Sequence, residues 1–456
     1  MISQDQAKNL IDTAVRYGKR KKADGIEVTV TASDIATSRF ANNGMTQNQS
    51  PQLVNISLRV QKDGKQARLS SDQITPAGIR ALVDNALLAA SFVEKDPDLL
   101  PMPKAQKRSE QKSVNRHDAR TAKFTPAQRA AEIKSMVNIA KDRGLSAAGV
   151  FATGTWVQAI GNSEGLFRFH KETSAECSVT IKYVDPVNNS ESTGWAKMHS
   201  TRVADINAAE MATRAAHKAV ASANPGEVEP GRYTVILEPS AVLDLLCFLW
   251  YDFTATSHSD KLSCFLGKLG QNVVGQNINV SDDSHHALQS GSPFDGEGLQ
   301  RQTLTLLEDG KISQLFCNRR NALKMNIEPT GHGAQEPSAE GESPQNFVVA
   351  GGDTTLEEMI KSTARGILLT RVWYVREVDP TTKIVTGMTR DGTFLIEDGV
   401  IKSGIKNMRF NQSLLEMLHK VVALGPTSRA AGEEGSPAVV PAMKIDEFLF
   451  SSVTRF

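Results

Sequence analysis

Hydrophobic positions along the chain follow two rhythms that change over at recognisable punctuation. In "MISQDQAKNLIDTAVRYGKRKK" Ile, Leu and Val recur at helical spacing, whereas "GIEVTVTASD" alternates apolar and polar residues and predicts a strand with one buried face. Next, "NISLRVQKDGKQARLSS" sets Asp63-Gly64 between two alternating runs, the signature of a tight hairpin whose turn positions tolerate positive φ. "TPAGIRALVDNALLAASFV" then offers a Thr cap, a Pro just inside it and a helical apolar stripe. The opening hundred residues therefore read as helix, sheet, helix.

The rhythm lapses over residues 98–124, "DLLPMPKAQKRSEQKSVNRHDARTAKF", which are polar, basic and short of large apolar side chains. They predict a surface connection. Its basic residues, Lys104, Lys107, Arg108, Lys112, Arg116 and Arg120, could form an anion-binding patch, but such a run is ordinarily a solvated loop, and that is the reading adopted. Helical grammar returns in "TPAQRAAEIKSMVNIAKDRG", which ends on Gly144, a C-cap signal. Strand-like runs follow at "AGVFATGTWVQAIGNSEGLFRFH" and "ECSVTIKYV", then a long helix at "DINAAEMATRAAHKAVASA". "NPGEVEPGR" packs two Pro and two Gly into nine residues and reads as a linker.

Beyond the linker, "YTVILEPSAVLDLLCFLWYDF" predicts a strand leading into a helix with Pro239 at its start. Two further hairpins carry Asp-Gly turns at Asp309-Gly310 and Asp398-Gly399, and "TLEEMIKSTARG" and "SLLEMLHKVVALG" read as helices. The pattern as a whole predicts an α+β protein of two domains. Residues 1–225 form a domain of helices and a mixed sheet, and residues 231–456 a largely antiparallel sheet domain with helices.

A length of 456 residues fits two domains, each able to bury a real core. Lys plus Arg number 52 against 51 Asp plus Glu, so no global field exists to hold a polyanion, which argues against nucleic acid as a partner. The longest apolar stretches fall short of a bilayer span, so no membrane partner is expected. The N-terminus has no signal-peptide apolar region, which points to a cytoplasmic chain. Cys177, Cys247, Cys264 and Cys317 form no CxxC pair and read as reduced, buried thiols.

Ready-made catalytic motifs are absent: there is no GxxxxGK[ST], no GxGxxG after a strand, no GxSxG and no HExxH. The densest ligand-like cluster, "SDDSHH" with Asp282, Asp283, His285 and His286, sits in an unpatterned loop, and adjacent histidines point in different directions. His258 and Asp260 lie on a Ser/Thr-rich turn where capping explains both. Asp295 and Glu297 in "PFDGEG" could share one side of an extended segment as an acid/base pair, but the glycines between and after them favour a turn. Cys247 lies between Leu246 and Phe248, a setting for a buried thiol rather than a nucleophile.

Five fragments nevertheless occur in a telling order: "FLGKLGQNV" (265–273), "SDDS" (281–284), "PFDGEG" (293–298), "EDGKI" (308–312) and "EPTGHG" (328–333). In this order they resemble the C-terminal domain of the TldD/PmbA family, also called TldD/TldE. The resemblance continues through "VDPTTKIVTGMTRDGTFLIEDG" (378–399) to the closing "PAMKIDEFLFSS" and covers nearly the whole chain. It implies a cytoplasmic two-subunit peptidase in which a TldD-type chain carries zinc on an HExxxH helix with a later cysteine as third ligand. The TldE (PmbA) partner lacks that motif.

By the family's spacing, the motif would fall on Leu246 to Tyr251, where Leu246 and Tyr251 replace the imidazoles and Cys247 the glutamate. No cysteine follows Cys317. The resemblance therefore implies a TldE-like subunit with no catalytic or metal-binding residues of its own, zinc in a TldD-like partner, and proteolysis of unfolded or leader peptides held as extended strands. It also nominates Thr330, Gly331, His332, Gly333, Arg390 and Asp391 as lining the substrate chamber. Two alternatives stay open: a non-enzymatic homodimer that binds peptides or regulates another protein, in keeping with an older family description as a modulator of DNA gyrase, and a self-sufficient chain with metal on His258, His285 and His286.

Overall fold

Caps decide where the first helices begin. Ser3 and Thr125 each close a capping box with the glutamine three residues on, and Thr75 accepts from the Gly78 N–H, opening helices Gln4–Arg20, Pro126–Lys141 and Pro76–Phe92. A computed structural model of the chain describes residues 1–105 and 114–454. Lys107, Arg108 and Lys112 of the basic run lie outside the described residues. Of the rest, Lys104 and Arg120 are exposed as a solvated loop requires, whereas Arg116 is buried. That run also winds into a short helix, Ala119–Ala122, capped by Asp118.

The N-terminal half is one seven-stranded sheet. Its strands are β1 (Gly25–Ala41), β2 (Gly44–Gln49), β3 (Gln52–Lys62), β4 (Lys65–Ser71), β5 (Ser146–Asn162), β6 (Phe167–Val184) and β7 (Glu191–Ser200), in the order β4-β3-β1-β5-β6-β7 with β2 paired to β1. All six pairings are antiparallel, so the sheet expected to be mixed is not. Two helix pairs cover it. Gln4–Arg20 and Pro76–Phe92 pack with Val28, Val30, Ile56 and Leu58, while Pro126–Lys141 and Ala208–Ala221 pack with Phe151, Val179 and Ile181.

The C-terminal half is α+β as the pattern predicted, with two sheets. Strand Gly231–Leu237 runs parallel to Arg365–Asp379 and antiparallel to Met443–Val453 inside a seven-stranded sheet. A six-stranded sheet of short strands lies beside it, including Val280–Asp282, Leu304–Glu308 and Phe347–Val349. One core joins them: Val235, Leu237 and Ile367 from the first, Val280, Leu306 and Phe347 from the second, and the helix Pro239–Leu246.

All three Asp-Gly turns form as read, with φ of 52° and 77° at Asp63-Gly64, 48° and 74° at Asp309-Gly310, and 51° and 76° at Asp398-Gly399. The two late helices are shorter than their apolar runs. Leu356–Lys361 gives way to strand Arg365–Asp379, and Leu414–His419 to strand Val421–Leu424, because the β-branched and apolar residues at their ends are taken up by neighbouring strands. Among the described residues, no helix is long and apolar enough to cross a membrane.

Candidate functional site

The helix foreseen to run into "CFLWYDF" stops at Leu246, and Cys247–Phe253 continues as a 3-10 helix. No glycine or proline marks the change, so the apolar pattern runs straight through it. Winding with three residues per turn redistributes the faces. Leu249 and Phe253 stay in the core, while Cys247, Phe248, Trp250 and Tyr251 line a cleft of about 550 Å³. Pro344 and Gln345, Arg376 and the Glu434–Pro437 loop form its other walls.

Two carboxylates hold this segment in place. Asp244, buried in the middle of the apolar helix, accepts the backbone N–H groups of Glu433, Glu434 and Gly435 at 2.9–3.2 Å and so fixes the loop across the cleft. Burial raises its pKa, and the loop N–H groups only partly offset that. Asp252 accepts from the Cys264 N–H at 2.8 Å and from the Lys383 ammonium at 2.5 Å, and Lys383 also meets Glu377 at 2.5 Å. Burial pulls the Lys383 ammonium down, but the two carboxylates outweigh it and hold its pKa above the ordinary value. Trp250 stacks on Phe347 with centroids 4.5 Å apart, which seals the cleft floor against the core.

The residues at the expected zinc position do not fit a zinc ion. Leu246 is an alkyl group in the core, Tyr251 a half-exposed phenol, and Cys247 a thiol whose Sγ lies 3.5 Å from the Asp244 carbonyl oxygen. Burial, with the charges of Asp244 and Glu434 behind it, pushes that thiol far above the range where a thiolate forms. Zinc takes imidazole, thiolate or carboxylate donors in tetrahedral convergence, but of the two carboxylates nearby Asp244 is spent on three N–H groups and Glu434 on the Val375 N–H and Arg376. Among the described residues, no three His, Cys, Asp or Glu side chains converge to hold a metal. His258, His285 and His286 in particular are not brought together: His258 Nε2 lies 3.1 Å from both the Asp252 carbonyl and Ser263 Oγ, His286 Nδ1 accepts from the Leu288 N–H, and His285 faces a different cavity.

The nominated turn Thr330–Gly333 lies inside the protein. His332 is fully buried, with Nδ1 3.0 Å from Thr330 Oγ1 and Nε2 3.0 Å from Asp282 Oδ1. Gly331 has φ of 74°, and a Cβ there would stand 2.0 Å from the Gln300 carbonyl oxygen. Asp295 accepts the N–H groups of Glu297, Leu299 and Gly333 at 2.8–3.0 Å, which is the turn reading of "PFDGEG". Both carboxyls of that pair are buried, and burial raises both pKa values, that of Glu297 further through its neighbour Asp295. Buried Arg301 balances Asp282 and Asp295.

Arg390 and Asp391, adjacent in sequence, serve different surroundings. Asp391 is buried, pairs with Arg371 at 2.6 Å and accepts from the Thr193 hydroxyl, tying strand β7 to the C-terminal sheet. Arg371 in turn stacks over Trp195 at 4.6 Å and reaches Glu433 at 3.4 Å. Arg390 lies over the Trp373 ring at 3.5 Å with 38% of its side chain exposed. Sequence reasoning passed over Asp244, Arg376 and the Glu434–Pro437 wall. A lone Asp in "AVLDLLCFLW" is a usable signal, because a buried carboxylate in an apolar helix must find donors.

A cleft beside a core helix, framed by two largely antiparallel sheets, belongs here to an α+β protein whose family is of the peptidase type. The chain belongs to the PmbA/TldD metallopeptidase family: residues 118–223 match the PmbA/TldA metallopeptidase central domain and residues 230–452 the PmbA/TldA metallopeptidase C-terminal domain. It is 21% identical over 432 residues to Metalloprotease PmbA of Escherichia coli O157:H7, covering 93% of this chain and 90% of that protein. A metalloprotease of Methanothermobacter thermautotrophicus is 25% identical over 228 residues, 48% of each chain, so this match spans about half the length of that relative. In fold, the chain resembles the crystal structure of TldE from Thermococcus kodakarensis with a TM-score of 0.87 at 18% identity, covering 97% of this chain and 100% of that one.

Proposed function

We propose that this chain is the TldE/PmbA-like, non-catalytic subunit of a TldD/TldE-type peptidase complex that degrades or trims unfolded or leader peptides in the cytoplasm. The observation that carries the reading is the cleft at the end of helix Pro239–Leu246, formed at the expected position of the zinc motif yet furnished with Cys247 and Tyr251, with Leu246 in the core. In this reading zinc resides in a TldD-like partner, and this chain contributes walls. An extended peptide is held by main-chain hydrogen bonds as an added strand, which selects for unfolded conformation with little sequence readout. Arg390 offers its guanidinium, pre-oriented on Trp373, to a peptide carboxylate, with Asp391 as its support.

The test is co-expression with a TldD-type chain carrying HExxxH, followed by peptidase assays of each chain alone and of the pair. Chelator-sensitive cleavage by the pair and none by this chain alone is the expected result. Chelator-sensitive cleavage by this chain alone overturns it, and a stable homodimer that binds peptide without any TldD-type chain favours the regulatory alternative.

A further inference from the structure

Buried arginines in this protein meet carboxylates or neutral acceptors. Arg59 pairs with Glu27 at 2.9 Å, Arg301 is balanced by Asp282 and Asp295, and Arg129 donates to the Phe124 carbonyl, Ser38 Oγ and Thr153 Oγ1. Arg116 bonds two neutral acceptors and leaves a donor open among the described residues. It is 4% exposed, its two terminal nitrogens donate to the carbonyl oxygens of Gly291 (2.7 Å) and Ser284, and its Nε has no acceptor among the described residues. It forms no ion pair with any described residue. The carboxylates it feels are Glu172 and Asp283. Glu172 accepts from the Gly291 N–H at 2.7 Å and lies 3.1 Å from His170 Nε2, while Asp283 accepts from the His285 N–H and the Thr303 hydroxyl. Arg429 also looks to Glu172 and likewise bonds only neutral partners among the described residues, so two guanidinium groups draw on the one Glu172 carboxylate. A buried guanidinium with no direct ion pair gains from an anion brought into contact with it.

The surroundings supply a place for that anion. Arg116 lines a cavity of about 270 Å³ between the halves of the molecule, together with His170 and Lys171 of strand β6 and with Ser284, His285 and Pro293 of the C-terminal half. Two more polar atoms on this lining lack partners: Ser284 Oγ, on a residue 1% exposed, and His285 Nε2. The Arg116 guanidinium already bonds the Ser284 carbonyl, which ties it to the segment that carries the other two groups. Arginine, hydroxyl, imidazole and the Lys171 ammonium are all able to donate, and their common acceptor is an oxyanion. The cavity is too small for a folded peptide segment but holds a single phosphate or carboxylate group with its water.

We propose that this cavity is a small-oxyanion site, in which Arg116, Ser284 and His285 hold a phosphate or carboxylate group at the joint between the N- and C-terminal halves. The site is separate from the cleft at Tyr251 and does not depend on the peptidase reading. Its occupant ties strand β6 to the 281–293 segment, so binding stabilises the joint.

The test is thermal unfolding of the full chain at neutral pH, titrated separately with inorganic phosphate and with acetate, against sodium chloride at matched ionic strength. A saturable rise in the midpoint with one of the anions, beyond that with chloride, is expected. Phosphate as the effective anion assigns the site to phosphorylated ligands, and acetate assigns it to carboxylates. Ser284→Ala and His285→Ala each raise the half-saturating concentration by about tenfold, and Arg116→Met abolishes the effect. Should Arg116→Met not fold, the two milder variants decide. No anion effect beyond chloride, or an effect unchanged in Ser284→Ala and His285→Ala, overturns the proposal.

Discussion

Two regions of the C-terminal half bury carboxylates by opposite means. In the cleft segment, Asp244 stands alone in an apolar helix, its charge met only by backbone N–H groups of one loop. In the 282–346 knot, Asp282, Asp295, Arg301 and His332 balance one another, with Thr330 and Asn346 completing the bonds. The first arrangement fixes one wall of a cleft and little else. The second shares its charge among several segments, so no member can be removed without stranding another.

That difference predicts a hierarchy of effects. The largest belongs to Asp282→Ala, which leaves His332 without its carboxylate and Arg301 with Asp295 alone, and orphans the Asn346 N–H. A loss of about 3–5 kcal/mol is expected in denaturant unfolding, and a loss below about 1 kcal/mol breaks the picture of a shared network. Asp244→Ala comes next, at about 2–3 kcal/mol for the N–H groups it strands. Its signature is local: the 431–437 loop loses hydrogen-exchange protection before the rest of the half, whereas uniform loss of protection removes the distinction between the two regions.

The smallest effect is that of Glu297→Gln, within about 1 kcal/mol at neutral pH because the native site favours the uncharged carboxyl. Its sharper readout is pH. A native pKa raised above the unfolded value means that the folded state binds the extra proton. The contribution is therefore fully present below the unfolded pKa and is lost as pH rises through the native one. Stability of the wild type relative to Glu297→Gln should thus decline as pH climbs above the ordinary carboxylate range. A difference that is flat or grows with pH contradicts the raised pKa.

The sequence was most legible where one or two residues decide the local geometry. The Asp-Gly turns and the Thr75 and Thr125 caps fall where they were read, because positive φ and side-chain capping are written into adjacent residues. It was least legible where partners arrive from afar. Asp244 meets donors 189–191 residues onward, and Arg116 meets carbonyls 168 and 175 residues onward, so the helix looked like plain packing and the arginine like a solvated charge. The passage from α-helix to 3-10 helix at Cys247 has no local marker, and with it the turn of Trp250 and Tyr251 toward the cleft stayed hidden. The resemblance pointed to Leu246–Tyr251, of which Cys247, Phe248, Trp250 and Tyr251 line the cleft; its far wall, Arg376 and Glu434–Pro437, was not foreseen.

The N-terminal sheet carries a consequence for how the molecule can be divided. Strand β1 pairs with β5 over fourteen successive residues, from Glu27 opposite Asn162 to Phe40 opposite Gly149. A fragment starting near residue 118 would strip the whole flank of β5, leaving a ladder of unmet donors and acceptors about 45 Å long. What the family's sequence models delimit as a central unit is thus welded to the segment before it, and cutting there would yield a sticky remnant instead of a free-standing module.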